Sequence, residues 1–293
     1  MKAVDFDYLR PASLAEACAA LAGGGEPRII AGGQTLVPLM AMRLARPSLL
    51  VDIGRLAELQ DITVGASAVL VGAATRQAAA LGSTAIRRWL PLLAKALGFV
   101  GHVQTRNRGT IGGSLANADP AAEIGLVAVT LDAALHVRSA RAERTIAAAA
   151  FFRSAMVTAL APEECLTGAS FPVWREFGRL GTGFQELSTR RSDFALAAAA
   201  VQLGVDDDGR CRRVAIGIGG AGPVPQRAPA AEDGLLGTPL AARDLTEAAR
   251  RAGAEVVCLG DPHAPAEYRR RVVGGLVARA LAEARTEASG GAG

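Results

Sequence analysis

The sequence is poor in the residue patterns that form metal sites and covalent catalytic centres. It holds four cysteines, and no two of them are close enough in sequence to form a chelating motif. Its three histidines are scattered, without the H-E-x-x-H spacing of a zinc enzyme. There is no G-x-S-x-G nucleophile motif and no Walker phosphate-binding loop. We therefore expect no metal ligands and no catalytic side chains, which is typical of a protein whose chemistry resides in a bound cofactor.

Long apolar runs and one-signed charge are also missing. No apolar run approaches the ~20 residues of a membrane-spanning helix. The N-terminal MKAVDFDYLRP lacks the apolar core of a secretory signal. The 32 basic and 28 acidic residues are mixed along the chain, and even the basic run 269–271 is interpreted as a solvated helix face. We expect a cytoplasmic protein without a nucleic-acid partner, membrane span or disulfide, whose cysteines are buried; peripheral membrane association is left open.

Hydrophobic periodicity predicts a small α/β unit at the start of the chain. Ser13 is predicted to cap a helix over Leu14–Leu21. A strand at 28–31, a helix over 36–44 and a strand at 49–53 follow. This unit would occupy about residues 1–55.

A second region extends to residue 172. It begins with a predicted hairpin over 62–74 and a single helix over 83–97. The polar, glycine-rich stretch 101–117 shows no periodicity and is predicted to be a long functional loop. A helix over 120–131 and several short strands complete the region.

The pattern of predicted elements changes after Pro172, and we place a domain boundary between residues 172 and 177. The predicted elements beyond it are strands at 181–187, 194–205 and 213–218 and helices over 240–254 and 266–284. The small, polar residues 286–293 are predicted to be a disordered tail.

Two glycine-rich loops stand out, each running into a helix. They are AGGQT, residues 31–35, and TIGGSLANADPAAE, residues 110–123. Glycine leaves main-chain N–H groups unshielded, and such nests with a following helix bind phosphate. The hydroxyls of Thr35, Thr110 and Ser114 would add donors. Two loops far apart in sequence could bind a pyrophosphate from opposite sides. Either loop alone is equally well explained as a tight turn beside a helix.

A third glycine motif is rejected. The GIGGAG at 217–222 matches the dinucleotide-binding pattern G-x-G-x-x-G. That fingerprint requires a helix to begin there, whereas Pro223 and Pro225 follow at once. We predict a strand end and a turn.

The motifs together resemble a known family. FDYLRPASLAEA, AGGQTLVPLMAMRLARP and QTRNRGTIGGSLANADPAAE look like the medium, FAD-binding subunit of carbon monoxide dehydrogenase and the flavin domain of xanthine dehydrogenase. The resemblance continues through ECLTGASFP and FQELSTRRSDFALAAAAV to AEYRRRVVGGLVARAL, and so spans essentially the whole chain.

This resemblance implies an α+β fold: a vanillyl-alcohol-oxidase-type FAD-binding domain of two subdomains (about 1–55 and 56–172) and a C-terminal α+β domain (177–285). FAD would lie between the subdomains. The pyrophosphate and adjoining groups would be bound by Ala31, Gly32, Gly33, Gln34, Thr35 and Leu36 and by Thr110, Ile111, Gly112, Gly113 and Ser114. Asn117, Asp119 and Glu123 would lie near the ribityl or ribose hydroxyls. Leu166 would contact the flavin ring.

Two positions near the ring depart from the family. Members often carry a lysine where this chain has Glu186, and a tyrosine where it has Phe194. A lysine would stabilise negative charge on reduced flavin, whereas a glutamate would oppose it. Both departures bear on the flavin potential and on the choice of electron acceptor.

The resemblance also implies partners. A large molybdenum subunit with a molybdopterin-type cofactor would oxidise the substrate, and a small subunit with two [2Fe–2S] clusters would pass electrons to FAD here, for delivery to a quinone, NAD or another acceptor. A dimer of heterotrimers is expected. Two alternatives stay open: a free-standing FAD-dependent oxidoreductase acting directly on a small molecule, and an assembly module that has lost its cofactor. The substrate cannot be named, because its pocket would belong to another subunit.

Overall fold

The computed structural model describes residues 2–177, 179–190 and 192–290. The N-terminal unit contains β1 (Asp7–Leu9), α1 (Leu14–Leu21), β2 (Pro27–Ile30), α2 (Leu36–Ala41) and β3 (Leu49–Asp52). The three strands are parallel, in the order β1–β3–β2. As predicted, the Ser13 hydroxyl caps α1 by accepting the Glu16 N–H at 3.2 Å. The α/β character of this unit is confirmed.

After a 3₁₀ turn (Ala57–Leu59) comes an antiparallel sheet. Its region holds the strands β4 (Ile62–Val64), β5 (Ala68–Gly72), β6 (Ala134–Arg138), β7 (Glu143–Ala147), β8 (Phe152–Ser154), β9 (Val157–Thr158) and β10 (Cys165–Pro172). The sheet order is β4–β5–β10–β6–β7, with β8 and β9 forming a separate hairpin. The helices of the region are α3 (Gln77–Gly82), α4 (Thr84–Trp89), α5 (Pro91–Leu97), α6 (Val103–Arg108), α7 (Ile111–Asn117), α8 (Glu123–Thr130) and α9 (Ala148–Phe151). The helices cover one sheet face, and the core between them includes the buried Phe151 and Phe171.

The structure corrects the helix predicted over 83–97. It is two helices, α4 and α5, which meet at Leu90, whose φ of −130° and ψ of 58° are not helical. Pro91 restricts the residue before it and starts a new helix, because proline is suited to the first helical position. The Ser83 hydroxyl does accept the Ile86 N–H, at 3.3 Å, so the predicted start is confirmed.

The predicted loop at 101–117 is also wrong. Residues in this stretch form α6 and α7, separated by Gly109 and Thr110. Each helix has only six or seven residues, and α6 buries no side chain. Helices this short and polar show no apolar periodicity, and the glycines of α7 favour a loop on propensity alone.

The C-terminal region forms a second antiparallel sheet. It contains β11 (Arg179–Ser188), β12 (Ala195–Val205), β13 (Cys211–Gly219), β14 (Gln226–Arg227), α10 (Pro229–Asp233), α11 (Ala242–Glu255) and α12 (Ala266–Ala288). The sheet order is β11–β12–β13–β14. One face packs on α12, and the other, through residues such as Phe184 and Ala200, joins the core of the preceding region. As predicted, the GIGGAG motif is a strand end and turn: β13 stops at Gly219, and the next helix begins at Pro229.

Two C-terminal predictions need correction. Helix α12 continues to Ala288, so the tail predicted from residue 286 is helical for its first three residues, and residues 291–293 lie outside the described part of the chain. The Glu287 carboxylate accepts the Thr182 N–H at 3.0 Å and binds Lys95 Nζ at 3.0 Å, which ties the helix end to β11 and α5. Arg269 is not solvated: it is 4% exposed and donates to the Gly220 carbonyl at 2.8 Å.

Within the described ranges no helix is both long enough and apolar enough to cross a bilayer. All four cysteines are buried free thiols, as predicted for Cys18, Cys165, Cys211 and Cys258.

Candidate cofactor site

The two glycine segments lie against each other in the structure. A Cβ at Gly32 would lie 2.5 Å from the Arg108 carbonyl oxygen and 2.8 Å from the Gly109 Cα. The backbone of the first loop therefore packs directly on the backbone of Arg108 and Gly109, the two residues just before the second loop. This contact joins the N-terminal unit to the helical layer of the second region, and it tolerates no side chain at Gly32.

The first loop presents unpaired main-chain donors. Gly33 has a φ of +70°, which turns the chain from β2 into α2. The N–H groups of Gln34, Thr35 and Leu36 donate to no acceptor in the described part of the chain. Gln34 and Thr35 are exposed. Such outward N–H groups at a helix start form the nest that the sequence predicts for an anionic group.

The second loop is built differently from the prediction. The N–H groups from Ile111 to Ser114 are already satisfied. Ile111 donates to the Thr75 carbonyl at 3.0 Å, and Gly112 to the Ala73 carbonyl at 2.9 Å. Gly113 donates to the Thr110 hydroxyl at 3.0 Å. The prediction of bare amides in this loop is therefore wrong.

The glycines of the second loop instead permit close packing. A Cβ at Gly112 would overlap the backbone of Ala73, so α7 sits directly on the end of β5. Gly113 is exposed and leaves the backbone surface of α7 open to a ligand. The Ser114 hydroxyl beside it has no hydrogen-bond partner among the described residues and is partly exposed, so a ligand can reach it.

The Arg76 side chain links the segments that flank the two loops through hydrogen bonds. Its guanidinium donates to the Arg108 carbonyl and, at 3.5 Å, to the Gly54 carbonyl. Gly54 is itself close to the first loop, since a Cβ there would lie 2.9 Å from the Ala31 carbonyl oxygen. The pKa of Arg76 is lowered by burial and by the neighbouring Arg108. The Asp52 carboxylate lies close to the same junction and offsets part of this lowering.

Replacing Arg76 by methionine should weaken FAD binding by roughly ten- to a hundredfold, because charge-assisted hydrogen bonds contribute ~1.5–3 kcal/mol. The fold should persist, since the backbone bridge between Arg76 and Thr110 does not need the side chain. FAD titration followed by flavin fluorescence would measure the change. Arg87→Met is the control, because Arg87 is exposed on α4 and its side chain bonds a single described residue, at the Leu81 carbonyl. Equal FAD affinities for the two variants would contradict the proposed role of Arg76 in holding the two loops together.

The residues predicted near the ribose and ribityl groups form one turn between α7 and α8. Asn117 ends α7, and Ala118 takes a left-handed φ of 51°. The Asp119 carboxylate accepts the Ala121 N–H at 2.9 Å. Glu123 begins α8, and burial raises its pKa to about 7, with Glu186 and Asp119 adding to the effect. Carboxyl and amide oxygens are thus gathered beside the second loop.

The three residues predicted near the flavin ring have different surroundings. Leu166 on β10 is 4% exposed and belongs to the core, so little of its surface is free. Glu186 on β11 is partly buried, and burial raises its pKa to about 7. Phe194, just before β12, is 73% exposed. The structure brings Glu186 toward Glu123 but leaves the Phe194 ring largely uncovered by described residues.

Sequence reasoning missed Arg76, Gly54 and Ala73, which hold the loops in place. Only their contacts with residues far along the chain distinguish them. The one available signal is the position of Arg76 directly after the predicted hairpin, because polar side chains at strand-to-helix junctions often contribute to binding sites.

Comparisons with known proteins give the family of the chain. Residues 4–174 match the family described as the FAD binding domain in molybdopterin dehydrogenase, and residues 182–284 match the CO dehydrogenase flavoprotein C-terminal domain. The alpha subunit of the 6-hydroxypseudooxynicotine dehydrogenase complex of Paenarthrobacter nicotinovorans is 39% identical over 97% of this chain and 96% of its own. The nicotine 6-hydroxylase medium subunit of the same organism is 40% identical over 97% of this chain and 99% of its own. The crystal structure of the Cu,Mo-CO dehydrogenase contains a chain that superposes with a TM-score of 0.93 at 34% identity, covering 98% of this chain and 100% of that one. The α+β fold and the resemblance predicted from sequence are confirmed, and the chain belongs to the FAD-binding medium subunits of molybdenum hydroxylases.

Proposed function

We propose that this chain holds FAD at the junction of its two glycine segments and passes electrons from the [2Fe–2S] clusters of a partner subunit to an external acceptor. The observation that carries the proposal is the main-chain contact of Gly32 with Arg108 and Gly109, which brings the donors of two distant segments to one place. Bound FAD supplies the redox chemistry, because it accepts electrons singly and delivers them in pairs.

The proposed contacts follow from the donors and acceptors available. Unpaired N–H groups from Gln34 to Leu36 and the Thr35 hydroxyl bind the diphosphate, as does the Ser114 hydroxyl from the opposite side. Ala31, Gly32 and Gly33 shape the first loop, and Thr110, Ile111, Gly112 and Gly113 give the second a flat surface. Oxygens of Asn117, Asp119 and Glu123 accept hydrogen bonds from sugar or ribityl hydroxyls. Leu166, Glu186 and Phe194 border the flavin ring.

The proposed partners are a small iron–sulfur subunit and a large subunit with a molybdopterin-type molybdenum cofactor, in a dimer of heterotrimers in the cytoplasm. Support comes from the relatives, which are named as subunits of complexes. Exposed apolar side chains on and after α2, at Val37, Met42 and Leu44, are suited to a protein partner. The domain limits 1–172 and 177–285 are proposed as well, and the ranges matched by the two families support them.

The alternatives are less well supported. A free-standing oxidoreductase would require a substrate-side acid or base and would not be expected among proteins named as medium subunits. An assembly module without cofactor would have no need of the close main-chain packing at Gly32.

The isolated chain tests the proposal. Mixed with FAD it should turn yellow with one flavin per chain, and it should pass electrons to artificial acceptors in a diaphorase assay. It should not hydroxylate nicotine-like or other N-heterocyclic compounds, because the substrate pocket belongs to the molybdenum subunit. A colourless chain indifferent to FAD, or substrate hydroxylation without partners, would overturn the proposal.

A further inference from the structure

Glu186 projects from the C-terminal sheet toward the start of α8. It pairs with Ala198 on β12, which in turn pairs with Gly219 on β13. Directly paired residues of antiparallel strands point to the same face, so these three form a row across the sheet. At Gly219 the row meets α8, where a Cβ would lie 3.2 Å from Leu126 Cδ2 and 3.5 Å from the Pro120 carbonyl oxygen. Alanine and glycine leave room over this row, and Glu186 is its only long side chain.

The space that Glu186 enters contains a second carboxyl group. Glu123 stands one turn before Leu126, at the first position of α8. Burial raises the pKa of Glu123 most, and the charge of Glu186 raises it further, whereas the pKa of Glu186 is raised by burial alone. Glu186 Oε2 is buried and has no hydrogen-bond partner among the described residues. A buried carboxyl oxygen without a donor is costly when the group is ionised.

Among the described residues, no cation forms an ion pair with either acid. Asp119 in the preceding turn adds negative charge and raises the pKa of Glu123 further. Arg106 on α6 lowers that pKa, but its guanidinium is bonded to the carbonyls of Val100 and Gly101 at 2.7 and 2.8 Å. On α5, Lys95 is bonded to Glu283 and Glu287 at 2.7 and 3.0 Å. The facing residues of β12 and β13 are alanine and glycine.

We propose that Glu123 and Glu186 act as one acid pair that holds a proton at neutral pH beside the cofactor site, and that FAD binding draws a proton into this pair. The inference rests on the proposed function for the position of FAD. Two neighbouring carboxylates in a partly buried site repel each other, so the first proton is bound tightly and shared. Diphosphate brings further negative charge, which favours the protonated pair.

The sign of the pH dependence follows from linkage. Raising the pH removes the shared proton, leaves two carboxylates beside an anionic ligand and weakens binding. Without FAD, both pKa values are raised in the folded chain, to about 7, above the ordinary carboxyl value of 4.5. The folded state then binds more protons than the unfolded state, so stability is fully present below pH 4.5 and is lost as the pH rises through about 7.

The test is a titration of the full chain with FAD in buffers of different ionisation enthalpy between pH 6 and 8. We expect proton uptake on binding and a dissociation constant that rises roughly tenfold over this range. Glu186→Gln and Glu123→Gln should each remove most of both effects. Glu267→Gln, at an exposed carboxylate on α12, is the matched control and should behave as the parent chain.

Two outcomes would overturn the inference. One is FAD binding with no proton uptake and no pH dependence. The other is a Glu186→Gln chain that keeps the parental pH profile. If FAD does not bind at all, the proposed function fails. Denaturant unfolding of the cofactor-free chain still tests whether Glu123 and Glu186 hold a proton at neutral pH. Glu186→Gln should then be more stable than the parent at pH 8 and should lose most of this advantage at pH 5. An equal difference in the free energy of unfolding at both pH values would refute the pair.

Discussion

Replacing Gly32 by valine should leave a folded chain that binds FAD at least about a hundredfold more weakly, a loss of roughly 3 kcal/mol. The valine Cβ would lie 2.5 Å from the Arg108 carbonyl oxygen and 2.8 Å from the Gly109 Cα, distances that no real Cβ adopts. Neither neighbour is a flexible side chain, so the loops must separate. The unpaired amides of the first loop would then move away from the second segment. Flavin absorbance of the purified chain and fluorescence titration with FAD would measure the loss.

The control for this experiment is Gly275→Ala, on α12. A Cβ at Gly275 meets nothing within 4 Å, and alanine has a higher helix propensity than glycine by about 1 kcal/mol. This variant should bind FAD normally. Circular dichroism would establish that the Gly32→Val chain folds, and Gly32→Ala provides a milder version should it not. Full FAD affinity in a folded Gly32→Val chain would contradict the proposed site.

Replacing Gly183 by valine should lower the free energy of unfolding by about 4 kcal/mol or more, in the range reserved for severe core disruption. Gly183 lies on β11, and a Cβ there would overlap the backbone of Ala280 on α12. Gly181 makes the same kind of contact with Ala284, one helical turn further along. The two glycines let α12 lie directly on the strand, and a valine would lift the helix from the sheet.

Urea denaturation of the Gly183→Val chain would measure this effect, with Gly275→Ala again as the control. Detachment of α12 would also break the ion pairs between Lys95 and the carboxylates of Glu283 and Glu287, at 2.7 and 3.0 Å. We therefore expect faster proteolysis within 266–288 in the variant. An unfolding midpoint within error of the parent chain would show that α12 does not need this close approach.

Sequence patterns predicted the elements whose signals are local. Ser13 was recognisable as a cap because its hydroxyl bonds an N–H only three residues away, at 3.2 Å. The hairpin at β4 and β5 and the strands β11 to β13 alternate or are flanked by turn residues, which is again local information. The predictions failed where a distant contact decides. Helices α6 and α7 are too short to be stable alone, and they form where Ile111 and Gly112 bond the carbonyls of Thr75 and Ala73.

The same division holds for the candidate site. The two glycine segments were identified from sequence because their composition is unusual and matches a family pattern. Arg76 could not be identified, since its role depends on the carbonyls of Gly54 and Arg108. The different functions of the two loops were equally hidden. Both were predicted to offer free amides, but among the described residues the N–H groups of Gln34 to Leu36 have no acceptor, whereas those of Ile111 and Gly112 are paired.

The amino-acid sequence by itself determined the family, the order of helices and strands with strong periodicity, and the location of the two glycine-rich segments. Which amides stay free and which carboxyls become neighbours was decided only by the tertiary structure. The physical reason is that hydrogen-bond satisfaction and burial are properties of surroundings assembled from distant parts of the chain. Glu123 and Glu186 are ordinary carboxyl groups in the sequence, and only the packing of α8 against the C-terminal sheet, at β12 and β13, buries them and raises the pKa of each to about 7.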